Sequence, residues 1–205
     1  MDGVIFEGSS FWLDLHKEYG TYEEGIELTK KYLKTNYPKL VEEVIGRLWN
    51  GKSEKIFMDL INSREYTSGA KELFAWLKEN KYRTAIISSG PKQLAERAKK
   101  ELEIDYVYTN EVNFKDEKLV GSKDMKYWPI RDRNKVEILR KLCKEHNIFY
   151  KDCIVVGHDN ADVKMAMTAG VTIGFCPEDE EFKKYCNIIV EKRDLKDLIL
   201  KLNKI

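Results

Sequence analysis

The chain opens MDGVIFEGSS, so an Asp-Gly pair, Asp2-Gly3, stands directly ahead of the apolar run Val4-Ile5-Phe6. Such a pair ordinarily follows a strand, where the backbone turns and presents a functional side chain. Three more places carry residues suited to chemistry. Ser88-Ser89-Gly90 closes the apolar run TAIIS, Lys135 opens a helical pattern in DRNKVEIL, and Gly157-His158-Asp159-Asn160-Ala161-Asp162 follows CIVVG. Carboxylates can move protons or hold a metal ion. A hydroxyl and N–H groups at a helix start favour an anion, and a lysine neutralises negative charge. Taken singly, each has a plainer reading. Ser-Ser-Gly suits a helix-capping turn, Lys135 a solvated helix residue, and the Asp-rich loop is ambiguous. Their order and spacing together are what point to a site.

The elements that must position these residues follow from the apolar pattern. Residues 10–66 space apolar side chains by three and four, as in FWLDLHKEYG and LVEEVIGRLW, and show almost no strand signal. Gly20, Pro38 and Gly51 fall near expected helix ends. This predicts a helical subdomain. From residue 67 onward, short apolar strands alternate with amphipathic helices. Strands are expected at 84–88, 106–110, 153–157, 171–175 and 187–190, and helices at about 91–102, 134–146, 161–169 and 194–203. NEVNF and KLVGS around Lys115-Asp116-Glu117 read as a hairpin. Strands this apolar are buried on both faces, so the expected fold class is α/β, a parallel sheet covered by helices. Ligands of such sheets bind beyond the carboxyl ends of the strands, where the candidate residues fall.

Composition narrows the function further. In 205 residues, 36 Lys+Arg balance 35 Asp+Glu, which argues against nucleic acid as a partner through a basic surface. No apolar run approaches the roughly 18 residues of a membrane helix, and no secretory signal is visible. The four cysteines, Cys143, Cys153, Cys176 and Cys186, form no CxxC pair and read as reduced thiols of a cytoplasmic protein.

The segments MDGVIFEG, AIISSG, NEVNFKDEKLVG, DRNKVEIL, GHDNADVKMAMTAG and VEKRDLKDLI, in this order, resemble the haloacid dehalogenase superfamily. They are most similar to its phosphoserine phosphatase branch. The resemblance implies a Rossmannoid core formed by 1–9 and 67–205, with 10–66 as a helical cap inserted after the first motif. It implies a metal-dependent phosphatase acting on a small phosphorylated metabolite through an aspartyl phosphate. The family's first motif is a strand ending Asp-x-Asp-Gly, in which the first Asp attacks phosphorus and the second is the acid and base. Asp2 matches the second Asp and Met1 the middle position. The nucleophile and the first strand then fall ahead of Met1, and the expectation is that Met1 is an internal methionine. Loss of a central strand would leave buried N–H and C=O groups unpaired at about 1–3 kcal/mol each, against a total stability of roughly 5–15 kcal/mol.

The resemblance also assigns roles. Ser88, with Ser89 and Gly90, matches the phosphate-binding second motif, and Lys135 the charge-neutralising third. The fourth motif, Gly-Asp followed four residues later by Asp, is met at Asp162. His158 stands where the first acidic ligand belongs, and Asp159 is one residue late. Mg²⁺ prefers oxygen, whereas imidazole suits Mn²⁺, Co²⁺ or Ni²⁺. The expected metal ligands are therefore Asp2, Asp162 and either His158 or Asp159. For the substrate amine and carboxylate, the matching places hold Ser9, with Glu7 two residues earlier, and Arg47. A second function class fits the same residues: a protein of this fold that has lost catalysis and binds a ligand or partner.

Overall fold

The computed structural model describes residues 1–8, 10–122, 124–130 and 134–205. After the Asp2-Gly3 turn come α1 (Phe11–Glu18), α2 (Tyr22–Tyr32) and α3 (Tyr37–Glu43). The Asn36 side chain accepts the Lys39 N–H to start α3. One wider π-helical stretch, Val44–Leu48, and α4 (Glu54–Ser63) follow. Phe11 and Leu15 of α1, and Phe57 and Ile61 of α4, are four apart and buried, as the periodicity predicts.

The second half alternates. α5 (Ala70–Glu79) leads to β1 (Ala85–Pro91), α6 (Lys92–Leu102) and β2 (Tyr106–Asn110). β3 (Asn113–Lys115) and β4 (Lys118–Val120) form the expected antiparallel hairpin. Then come α7 (Lys135–Glu145), β5 (Ile154–Gly157), α8 (Val163–Ala166) and β6 (Val171–Phe175). α9 (Glu180–Lys183), β7 (Ile188–Val190) and α10 (Lys196–Leu202) close the chain. The α/β class is as expected, with two departures. The parallel strands fall into two hydrogen-bonded groups, β1-β2 and β5-β6-β7, rather than one sheet. They meet through side chains instead: Ile87 of β1 packs on the cluster that contains Val155 of β5 and Val136 and Leu139 of α7. The helix expected over 161–169 is also shorter. A 3₁₀ turn at Asn160–Asp162 precedes α8, and the Asp159 side chain accepts the Ala161 N–H to form it.

One cluster of buried side chains runs through both halves. It joins Phe11, Leu15, Trp49 and Phe57 of the helical segment to Ile86, Ile173, Phe175 and Leu198 around the strands. The four cysteines are free, and Cys143 Sγ and Cys153 Sγ lie 3.3 Å apart. Among the described residues no helix is long and apolar enough to cross a membrane.

Candidate active site

The Ser88-Ser89-Gly90 turn is a bulge. Ile87 pairs with Tyr108 and Pro91 with Asn110, so Ser88, Ser89 and Gly90 stand opposite Thr109 alone and leave the ladder. α6 begins immediately afterwards, which places its N-terminal N–H groups beside the turn. Ser88 is buried, and its Oγ accepts the Gly90 N–H at 3.1 Å. A Cβ at Gly90 would stand 3.3 Å from Ser88 Oγ and 3.8 Å from Asp2 Oδ2, which brings the first and second candidate stretches together.

Asp2 is held by its own turn and by α1. The Met1 carbonyl accepts the N–H groups of Val4, Ile5 and Phe6, and Asp2 Oδ2 accepts the Phe11 N–H at 3.0 Å. Its other oxygen, Oδ1, is buried with no hydrogen-bond partner among the described residues. Gly3 has φ +70°, and a Cβ there would lie 2.8 Å from the His158 imidazole. Only glycine both adopts that backbone and lets His158 lie on it.

Lys135, at the first turn of α7, donates Nζ to Asp162 Oδ1 at 2.9 Å, and both residues are buried. Asp162 Oδ2 accepts the His158 N–H at 3.2 Å, so both of its oxygens are engaged. Burial alone would raise the Asp162 carboxyl, but the Lys135 ammonium and the His158 N–H hold it below the usual carboxylate range. Gly157 allows this approach, since a Cβ there would meet Asp162 Oδ2 at 2.5 Å. Burial holds the Met1 α-ammonium below its usual range, and the charges of Asp2, Lys135, Asp162 and Asp159 also act on it.

A divalent cation fits the donors present. The ligating atoms of His158, Asp159 and Asp162 all lie within 4.8 Å of one another. His158 Nε2 and Asp159 Oδ2 are 3.8 Å apart, close enough for both to face one ion.

A family model described as haloacid dehalogenase-like hydrolase matches residues 1–167. The chain belongs to that family. A phosphoserine phosphatase of Methanocaldococcus jannaschii is 30% identical over 188 residues, 91% of this chain and 87% of that protein. One of Archaeoglobus fulgidus is 29% identical over 206 residues, 98% of this chain but 58% of its own length. Among solved structures, a substrate-bound phosphoserine phosphatase complex matches with a TM-score of 0.81 at 27% identity, covering 98% of this chain and 94% of that one. A phospho-aspartyl intermediate analogue of phosphoserine phosphatase matches with a TM-score of 0.80, also at 27% identity, covering 98% of this chain and 95% of that one.

The haloacid dehalogenase-like candidates thus divide. Asp2, Ser88, Ser89, Gly90, Lys135, His158, Asp159 and Asp162 fall on the connected turns described above. Arg47 lies apart in its bonding: Nε is bound to Glu43 at 2.7 Å and Nη2 to Glu24 at 2.5 Å, on an exposed face. Glu7 pairs with Arg193 at 3.3 Å, and its carbonyl accepts from Arg64. Ser9 lies outside the described residues. The sequence reading passed over three residues. Arg64 is buried and ion-paired to Asp14 at 2.6 Å. Trp12 and Asn110 both bond the Ser89 carbonyl. An asparagine closing the apolar run YVYTN was a signal that could have marked Asn110; nothing local marked Trp12.

Proposed function

We propose that this protein hydrolyses a small phosphomonoester, with a phosphoserine-like metabolite as the first candidate, by way of an aspartyl phosphate. The observation that carries this reading is the convergence of Asp2, Ser88, Lys135 and Asp162 on adjoining turns in a chain of this family. Segment 10–66 is read as the cap over the site, and the protein as cytoplasmic. Ser88 Oγ, the turn at Ser89 and Gly90, and the α6 N-terminus would hold phosphoryl oxygens, while Lys135 neutralises charge. In the family's motif, the attacking carboxylate stands two residues before the acid-base aspartate that Asp2 matches. Its oxygen forms a bond to phosphorus as the bond from phosphorus to the leaving oxygen breaks. Asp2 gives the leaving oxygen a proton. Asp2 then takes a proton from water, the water oxygen bonds phosphorus, and the acyl phosphate bond breaks to release phosphate and the carboxylate.

A divalent cation held by Asp2, Asp162 and His158 or Asp159 would supply further neutralisation of the phosphoryl charge. The His158 imidazole favours Mn²⁺, Co²⁺ or Ni²⁺ at that position, and the Asp159 carboxylate favours Mg²⁺.

The test is phosphate release from a panel of phosphomonoesters that includes phosphoserine, with each of these four metals. It compares the chain with a version carrying an apolar segment and an aspartate directly before Met1. Metal-dependent turnover by the lengthened version, abolished when that aspartate becomes asparagine, is the expected result. Equal turnover by both versions would overturn the aspartyl-phosphate route. Phosphate binding without turnover in either would favour a binding protein of this fold.

A further inference from the structure

The Ser89 carbonyl oxygen takes two side-chain donors from two distant elements. The Trp12 indole N–H of α1 reaches it at 2.9 Å, and the Asn110 amide at the end of β2 reaches it at 3.0 Å. A carbonyl has two lone pairs, and here both have a donor. The bond matters because of the peptide plane. The Ser89 C=O and the Gly90 N–H belong to one rigid planar unit and point in opposite directions. Pinning the oxygen therefore aims the Gly90 N–H, which points to Ser88 Oγ in the turn that also adjoins Asp2. No ladder bond does this job, because residues 88–90 stand outside the β1-β2 pairing.

The two donors are themselves anchored. Asn110 is fully buried and exchanges bonds with Ile130, giving its amide to the carbonyl and accepting the N–H, each at 2.9 Å. Trp12 lies between Trp49 and Trp128, with ring centroids 5.7 Å from each. Its neighbour Phe11 gives its N–H to Asp2. The first two residues of α1 thus touch both the Asp2 turn and the Ser-Ser-Gly turn.

We propose that Trp12 is a positioning residue: with Asn110 it sets the Ser89–Gly90 peptide so that the Gly90 N–H and Ser88 Oγ meet a phosphoryl oxygen. This rests on the reading of that turn as the phosphate site. It makes the Trp12 N–H of α1, rather than the stack around its ring, a condition for phosphate binding.

The experiment titrates inorganic phosphate into the full chain by calorimetry at one fixed divalent cation, together with amide exchange at Gly90. Trp12→Phe keeps the ring stack and removes the N–H. It is expected to weaken phosphate binding about tenfold and to speed exchange at Gly90, with an unfolding midpoint close to that of the unaltered chain. Trp49→Phe, which disturbs the same stack and its bonds to His16 and Thr21 but not Ser89, is expected to bind phosphate normally. Asn110→Asp removes the second donor and should act in the same direction as Trp12→Phe. Unchanged phosphate affinity in Trp12→Phe, or an equal loss in Trp49→Phe, overturns the proposal while leaving the phosphate site standing. Absence of phosphate binding by the unaltered chain removes the site, and both readings fall with it.

Discussion

Lys135 and Asp162 form an ion pair of 2.9 Å in which both side chains are about nine-tenths buried, at 10% and 8% exposure. A lysine at a helix start could have been a solvated charge. Its burial against a carboxylate gives it a second role, in stability.

Lys135→Ala is therefore expected to act twice. Removing one partner of a buried pair leaves Asp162 unpaired and costs about 3–5 kcal/mol of stability. Loss of the ammonium should lower turnover at least ~100-fold, roughly 3 kcal/mol of transition-state stabilisation. The double variant Lys135→Met with Asp162→Asn should regain much of the stability and none of the turnover. Denaturant unfolding beside phosphate release separates the two effects.

Metal choice should respond to two neighbouring residues. If His158 faces the ion, the unaltered protein should bind Mn²⁺, Co²⁺ or Ni²⁺ more tightly than Mg²⁺, and His158→Asp should shift preference to Mg²⁺. If Asp159 does, Asp159→Ala should lose metal while His158→Ala keeps it. Calorimetric metal titration reads this without turnover, and equal tolerance of both alanine variants would remove the metal from this loop.

Acid stability should depend on His16. It is buried against Trp49 and Thr21, and burial pushes its imidazole down from 6.5 to about 4. The unfolded chain takes up this proton at higher pH than the folded one. The contribution is thus complete above about pH 6.5, declines as pH falls, and is gone below about pH 4. The unfolding midpoint should fall across that window, and His16→Asn should flatten the decline; an unchanged slope would refute the assignment.

Gly3 should tolerate no side chain. Gly3→Ala places a residue at φ +70° and drives a Cβ into the His158 ring. The backbone conformation alone costs roughly 1–2 kcal/mol, and displaced His158 should weaken metal binding. A variant that melts and binds metal like the parent would count against the His158–Gly3 contact.

Much of this was legible in the sequence for identifiable reasons. The strands at Tyr106–Asn110 and Val171–Phe175 matched their expected bounds, because apolar runs flanked by turns leave few alternatives. α5 was missed, since AKELFAWLKE lies between the helical stretch and the first apolar strand and was given to neither. α8 is shortened at both ends: its start is a 3₁₀ turn at Asn160–Asp162 that the Asp159 side chain caps through the Ala161 N–H, and it stops at Ala166. Trp12 could not be assigned from local pattern, because Ser89 is 77 residues away from it.

The buried cluster common to the helical segment and the strands has a consequence for handling the molecule. Phe11, Trp49 and Phe57 share one apolar interior with Ile173 and Phe175, so neither half keeps a complete interior without the other. Melting should then be a single transition with the same midpoint by fluorescence and circular dichroism. Protein engineers who graft a foreign helical segment onto these strands would have to carry Phe11, Trp49 and Phe57 across with it, because a graft that fits only at the chain junctions would leave the recipient half with solvent-exposed apolar surface.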